Sequence, residues 1–164
     1  MGIFITTLAE YLWVLCIGSL VLSLVWPATA SVRVTLLIVT LSGLTQDKIA
    51  PLLMEISDTS PELARLFWYP SWVVCQTLTL AVIWFIHRKF IWAVEPITKF
   101  ICFSILMHIT LQVLRFTDRV IIGTDLLGGL YKYGIPAINI AAILALCLWS
   151  IAGAFRYRKE LQEC

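Results

Sequence analysis

One stretch of the sequence carries polar side chains at a spacing that could support chemistry inside an apolar segment. The stripe comprises Ser104, His108, Gln112, Arg115 and Arg119, separated by four, four, three and four residues. At 100° per residue, these positions share one face of a helix. Asp118 follows Arg115 by three residues, close enough for an ion pair. Because polar groups are costly in hydrocarbon, we expect this stripe to face other helices, water or a partner.

Two interpretations of the polar stripe remain open. It could be a hydrogen-bond network that fixes helix packing or subunit assembly, or it could form a site for a substrate, a proton or a ligand. His108 could relay protons because imidazole titrates near neutrality, whereas a neutral His108 bonded to Gln112 or a serine would only pack. The side-chain amide of Asn139, on the last apolar segment, would find hydrogen-bond partners most easily if it faced the same stripe.

The elements that must position these residues are long apolar runs separated by short charged gaps. Residues 133–155 contain no Asp, Glu, Lys, Arg or His. A helix needs about 20 such residues to cross a bilayer. Hydrophobic residues make up 60% of the chain and charged residues 13%, a composition that a water-exposed surface does not tolerate. The sequence therefore predicts an all-α, multi-pass transmembrane helical bundle.

We expect one integral membrane domain over residues 1–164. The predicted spans are 3–26, 32–50, 66–86, 98–116 and 133–155, with an interfacial segment over 117–132. The number of spans depends on residues 34–44 (VTLLIVTLSGL), which are too apolar for a solvated loop but short for a full span. Five spans are preferred. In the alternative, one long first helix is followed by a re-entrant or amphipathic segment, which leaves four spans.

Charge predicts orientation but no nucleic-acid partner. The formal net charge is +2, and the basic residues are spread over many loops. One side of the predicted bundle collects residues 87–89, Lys99 and residues 156–159, so the positive-inside rule places the carboxyl terminus in the cytoplasm of a plasma (inner) membrane protein. The first apolar run is too long for a cleavable signal peptide and lacks a basic region before it, so we expect this helix to stay.

Other catalytic and cofactor patterns are absent from the sequence. The five cysteines, Cys16, Cys75, Cys102, Cys147 and Cys164, form no CxxC pair. There is no GxSxG, HExxH or phosphate-binding loop. His87 and His108 lie at different expected depths, which disfavours a haem held by both. We therefore predict no catalytic residue, no metal site and no cofactor.

Two aspartates raise one enzymatic alternative, because a pair of carboxylates can activate a water molecule. Asp47-Lys48, the run Phe116-Thr117-Asp118-Arg119 with Gly123 and Asp125, and residues 138–141 (INIA) together resemble fragments of lipoprotein signal peptidase. The resemblance implies an intramembrane aspartyl hydrolase. The chain departs from the family pattern, which has an aspartate where this sequence has Ala142, and the gap between Asp118 and Asp125 is short.

Size and the missing catalytic motifs favour a non-catalytic subunit or accessory factor of a membrane protein assembly. The lipid bilayer and another membrane protein, or further copies of the chain, are the expected partners. The polar stripe and the small residues Ala137, Ala141 and Ala145 would supply specific helix contacts. The alternatives are a homo-oligomeric channel or transporter, with His108, Gln112 and Arg115 lining an anion-attracting path, and the aspartyl hydrolase.

Overall fold

Helices make up about nine tenths of the chain, and the described residues contain no strand. A computed structural model describes the backbone of residues 2–25 and 28–163 and the side chains of residues 14–25, 28–153 and 155. The helices are α1 (Gly2–Val25), α2 (Ala30–Thr59), α3 (Pro61–Lys89), α4 (Pro96–Phe116), a π-helix (Thr117–Ile122) and α5 (Gly128–Glu163). The predicted all-α class is confirmed.

Four segments are long and apolar enough to cross a membrane. They are Ala30–Thr59, Pro61–Lys89, Pro96–Ile122 and Gly128–Gly153. Within α1, the apolar part with described side chains is Val14–Val25, which is too short to span alone. The side chains of residues 3–13, the first half of the predicted span 3–26, are not among those that the structure describes. The chain is thus a multi-pass membrane protein with four or five spans, and residues 34–44 lie within the long helix α2.

The helices extend further than the predicted spans. Thr29 caps α2 by accepting from the backbone N–H of Val32. The predicted second span ends near Asp47 and Lys48, but α2 continues to Thr59, and Pro61 starts α3 one residue after the Ser60 turn. Pro96 similarly occupies the first turn of α4, where its missing N–H costs no hydrogen bond. The predicted interfacial segment 117–132 comprises the π-helix, a short loop and the first turn of α5.

The five α-helices form a closed ring in which each helix packs against the next one and α5 returns to α1. Consecutive helices are antiparallel, so the bundle has two ends. We call the end with the Ser60 turn the hairpin end. We call the opposite end, which carries Arg33, Arg88, Lys89 and Lys99, the basic end. The Ser31 hydroxyl and His87 Nε2 are 2.8 Å apart there.

The inward face of α4 divides the interior into two halves. Towards the basic end, Ile97, Ile101 and Ile105 pack in an apolar core together with Val32, Leu36, Ile38, Ile83 and Leu146. Towards the hairpin end, the same face presents His108, Gln112 and Arg115, all buried. The spacing of three and four residues therefore continues through both halves, and only the chemistry of the side chains changes.

Candidate functional site

An ion-pair network closes the ring at the hairpin end, where α4 passes into the π-helix. Arg115 is 5% exposed, and its Nη1 donates to Asp118 Oδ2 at 2.7 Å. Its Nη2 donates to Asp125 Oδ1. Arg119 Nη1 reaches the same Asp125 oxygen at 3.3 Å. Two cations and two carboxylates thus form one cluster without formal net charge.

Asp118 also holds the loop that leads into α5. Its carboxylate accepts from the Thr124 hydroxyl and from the backbone N–H groups of Leu126 and Leu127, the last two at 3.3 and 3.0 Å. With Arg115, the carboxylate therefore has four donors. Two of them are backbone amides just before the amino-terminal end of α5, where negative charge is stabilising.

The π-helix changes which side chains of the stripe face inward. At 100° per residue, Arg119 belongs on the inward face with Arg115. In Thr117–Ile122 the turns are wider, with hydrogen bonds between residues five apart, and the buried position passes to Asp118. Asp118 is 4% exposed, whereas the Arg119 side chain is 36% exposed. Gly123 ends this turn in the left-handed region, at φ 76°.

Asp125 lies in the loop between the membrane-spanning segments and is ionised more readily than an ordinary aspartate. The hydrogen bond from Arg115 and the charge of that guanidinium lower the pKa of the Asp125 carboxyl, and Arg119 acts in the same direction. An aspartyl hydrolase needs carboxylates that share a proton and bind a water molecule. Here the carboxylates of Asp118 and Asp125 share a guanidinium, an arrangement that orders the loop.

A second polar chain links three helices one turn deeper. Trp68 Nε1 on α3 donates to the Tyr131 hydroxyl on α5 at 3.3 Å, and that hydroxyl donates to Gln112 Oε1 on α4 at 3.0 Å. The Tyr69 ring packs edge-on against Tyr131 and Phe116. Gln112 of the polar stripe is therefore satisfied by an interfacial tyrosine, a contact that the sequence analysis did not identify.

His108 lies deeper still and joins α3 to α5. Its Nδ1 is 3.4 Å from Gln76 Nε2, and its Nε2 is 3.3 Å from the carbonyl oxygen of Ile135. A neutral imidazole protonated at Nε2 satisfies both contacts, accepting from Gln76 and donating to Ile135. The sequence suggests Gln112 or a serine as the partner of a neutral His108, but the structure supplies Gln76 and a backbone carbonyl.

His108 also lines a cavity of about 160 Å³ at the centre of the ring, whose wall is mainly apolar with several polar side chains. Ser104 and Asn139 line the same cavity, so three residues of the predicted site meet there. The other polar side chains on its wall are Thr40, Ser42, Gln46, Asp47, Gln76 and Thr79. Asn139 makes no side-chain hydrogen bond within the described part of the chain. The volume and the polar groups of the wall suit several water molecules or a small polar solute.

Six of the nine polar side chains on the cavity wall were not predicted as site residues from the sequence, although one signal was available. Gln76 lies in the middle of an otherwise apolar span, where an amide is costly unless it meets a partner. Serine and threonine gave no such signal, because their hydroxyls can bond to the carbonyl four residues earlier in any helix. Thr40 and Thr79 both make that bond, to Leu36 and Cys75 respectively.

The described residues contain no group of three or more His, Cys, Asp or Glu side chains that could hold a metal ion. Cys16, Cys75, Cys102 and Cys147 are free thiols, and Cys164 lies outside the described residues. Comparison of the chain with protein-family models, with curated proteins and with solved structures finds no match.

Proposed function

We propose that this chain is a small multi-pass protein of the plasma (inner) membrane that acts as a non-catalytic accessory subunit or binding factor of a membrane protein assembly. The observation that supports this proposal most directly is the length of α2 and α3. They contain 30 and 29 residues, which corresponds to about 45 and 44 Å at 1.5 Å per residue. Since the hydrocarbon core is about 30 Å thick, their ends must extend past it.

The extending part is residues 54–67, which we call the extramembrane hairpin. Trp68, Tyr69 and Trp72 follow it on α3, in the position expected for an interfacial aromatic belt. Tyr69 packs against Phe116, the last residue of α4, so α3 and α4 are in contact at this level. Leu53, just before the hairpin, and Ala64 within it are buried, as expected where α2 and α3 pack together.

The surface of the extramembrane hairpin combines apolar side chains with three carboxylates and one cation, Arg65. Leu63, Leu66 and Phe67 lie three and four residues apart on one face of α3 and are 49, 46 and 53% exposed. Glu55, Asp58 and Glu62 are also exposed, and none forms an ion pair in the described part of the chain. An apolar stripe outside the hydrocarbon core, bordered by carboxylates, suits a partner with an apolar patch and basic neighbours.

The contacts of the polar stripe favour a non-catalytic role. Every buried side-chain nitrogen or oxygen in the described residues has a hydrogen-bond partner. Asp118, the buried carboxylate of the only candidate catalytic pair proposed from the sequence, is occupied by four donors. These contacts stabilise the bundle, and they leave no oxygen of Asp118 directed at a substrate.

Charge supports an orientation with the basic end in the cytoplasm. Seven of the twelve Lys and Arg residues lie in the segments at the end towards which α5 runs, against five towards the hairpin end. By the positive-inside rule, the carboxyl terminus is then cytoplasmic and the extramembrane hairpin is on the outer side. This orientation can be tested with a carboxyl-terminal fusion to a reporter that is active only in the cytoplasm. A fusion that is fully expressed but gives no reporter signal would contradict it.

The main test is isolation of the tagged protein from its native membrane in mild detergent, with the mass of the intact assembly measured. We expect a stoichiometric larger membrane protein to co-purify, and the double variant Leu63→Ser, Leu66→Ser to lose it. Leu126→Ser is the matched control, because Leu126 is 85% exposed on the same side of the bundle but lies outside the extramembrane hairpin. Equal recovery of the partner with both variants would contradict binding through the hairpin, and a chain isolated without any partner would contradict the accessory role.

The central cavity favours a second candidate, a channel or transporter formed by one or several copies of the chain. Polar side chains from α2, α3, α4 and α5 line the cavity, including Gln76, His108 and Asn139. Arg115 does not provide the anion-attracting charge considered from the sequence, because Asp118 and Asp125 neutralise it. Purified protein that forms a homo-oligomer and makes liposomes permeable to a small solute would support this candidate. A monomer in tight liposomes would refute it.

A further inference from the structure

We propose that the groove between α3 and α4 at the basic end binds one anionic phospholipid. The groove has a volume of about 630 Å³, within the range of about 300–1,000 Å³ of small-molecule sites. Its wall includes Trp84, Arg88, Trp92, Lys99, Phe103 and Leu106. This inference does not depend on the accessory role proposed above.

The depth of the groove matches a lipid standing along the membrane normal. Lys99 and Leu106 mark its two ends on α4, and their separation of seven residues corresponds to about 10 Å of helix. Arg88 and Leu80 give a similar length on α3. The groove therefore starts at the level of the interfacial cations and continues into the hydrocarbon, as a headgroup followed by the upper part of an acyl chain requires.

The mouth of the groove is positively charged. Arg88 and Lys99 are exposed, and neither forms an ion pair within the described residues. The Arg88 guanidinium lies 5.1 Å from the centre of the Trp84 ring, a cation–π contact that holds it over the groove. Among the described residues, no carboxylate lines the groove. The backbone N–H of Lys99 donates to the backbone carbonyl of Glu95, and the Glu95 carboxylate forms no ion pair with Lys99.

The inner wall is apolar and pre-formed. His87 points away from the mouth, because its Nε2 contacts Ser31 and its Nδ1 contacts the carbonyl of Ile83. The Trp92 ring stacks on Phe90 at 5.0 Å between centroids and closes the groove from the side of the loop. Two cations above an apolar slot, with aromatic rings at the interfacial level, fit a phosphate with an attached acyl chain. They do not fit a free polar anion, which would gain nothing from the slot.

Titration of the purified protein with phosphatidylglycerol and phosphatidylcholine of the same acyl chains, with retained lipids counted by intact-mass measurement, tests the site. We expect one phosphatidylglycerol to be retained in preference to phosphatidylcholine. Because a basic residue near an anionic lipid contributes about fivefold in affinity, Arg88→Gln with Lys99→Gln should weaken retention about 25-fold. The matched control is Lys48→Gln with Arg65→Gln, which removes two exposed cations far from the groove and should retain the lipid.

Three results would overturn the proposal. Equal retention of the two lipids would remove the role of charge. Equal losses in the Arg88/Lys99 and Lys48/Arg65 variants would indicate general attraction to a basic protein. Displacement of the lipid by glycerol phosphate at comparable concentration would show that the acyl slot contributes nothing, and that the cations bind a phosphate group from any source.

Discussion

Asp118→Asn should destabilise the bundle far more than the same change at Asp125. The substitution keeps the size of the side chain but removes the charge that faces Arg115, which is 5% exposed. Breaking a buried ion pair costs about 3–5 kcal/mol. Arg115 keeps Asp125 as a partner, so we expect the lower limit, about 3 kcal/mol. The Asp125 side chain is 70% exposed, so Asp125→Asn should cost much less than Asp118→Asn.

The free energy of unfolding of both variants can be measured in mixed micelles by titration with a denaturing detergent, with helix content followed by circular dichroism. The wild-type chain and Asp125→Asn should unfold at similar detergent fractions, and Asp118→Asn should unfold well before them. If the two variants unfold together, the buried carboxylate does not hold the loop before α5, and the explanation given for the end of the ring is wrong.

Three further predictions concern the same end of the ring. Gly128→Ala should be less stable than Gly129→Ala in the same unfolding assay, since a Cβ at Gly128 would lie 2.9 Å from the Asp125 oxygen that binds Arg115, whereas Gly129 has open space around it and its replacement by Ala should be neutral or stabilising. Because Asp125 has a lowered pKa in the folded state, its contribution is fully present above the ordinary aspartate pKa of about 3.9, so the stability difference between wild type and Asp125→Asn should shrink as the pH falls below about 4 and vanish only below the lowered folded-state pKa. Gly123→Ala should cost about 1 kcal/mol by thermal unfolding, because its φ of 76° is strained for alanine.

Much of the fold could be predicted from the sequence because the bilayer imposes a simple rule. A backbone in hydrocarbon must form helices of a minimum length, and the uncharged runs fix where those helices lie. The helix ends were less predictable. Asp47 and Lys48 look like the end of a span, but α2 continues because a helix that leaves the membrane can still pack against its neighbour, as Leu53 and Ala64 do.

The site was predictable in part for a related reason. His108, Gln112 and Arg115 share a helix face, and periodicity alone places them together. Their partners come from other helices, as Gln76 and Tyr131 do, and one sequence without pairing information cannot specify which helices become neighbours. Serine and threonine on the cavity wall were hidden for another reason, because they are common on lipid-facing and inward-facing surfaces alike.

The π-helix has a consequence for how the length of this chain can vary. A π-turn holds one residue more than an α-turn needs, so Thr117–Ile122 carries a surplus residue between Arg115 and the loop that starts at Gly123. Deleting one residue here would let the backbone relax into an ordinary α-turn and exchange Asp118 for another side chain at the buried position. An equal deletion inside α4 would instead rotate every inward-facing residue that follows it. The fold should therefore tolerate the loss of one residue best at this turn. Such a deletion would change which side chains form the ion-pair network but would leave the packing of the five helices unchanged.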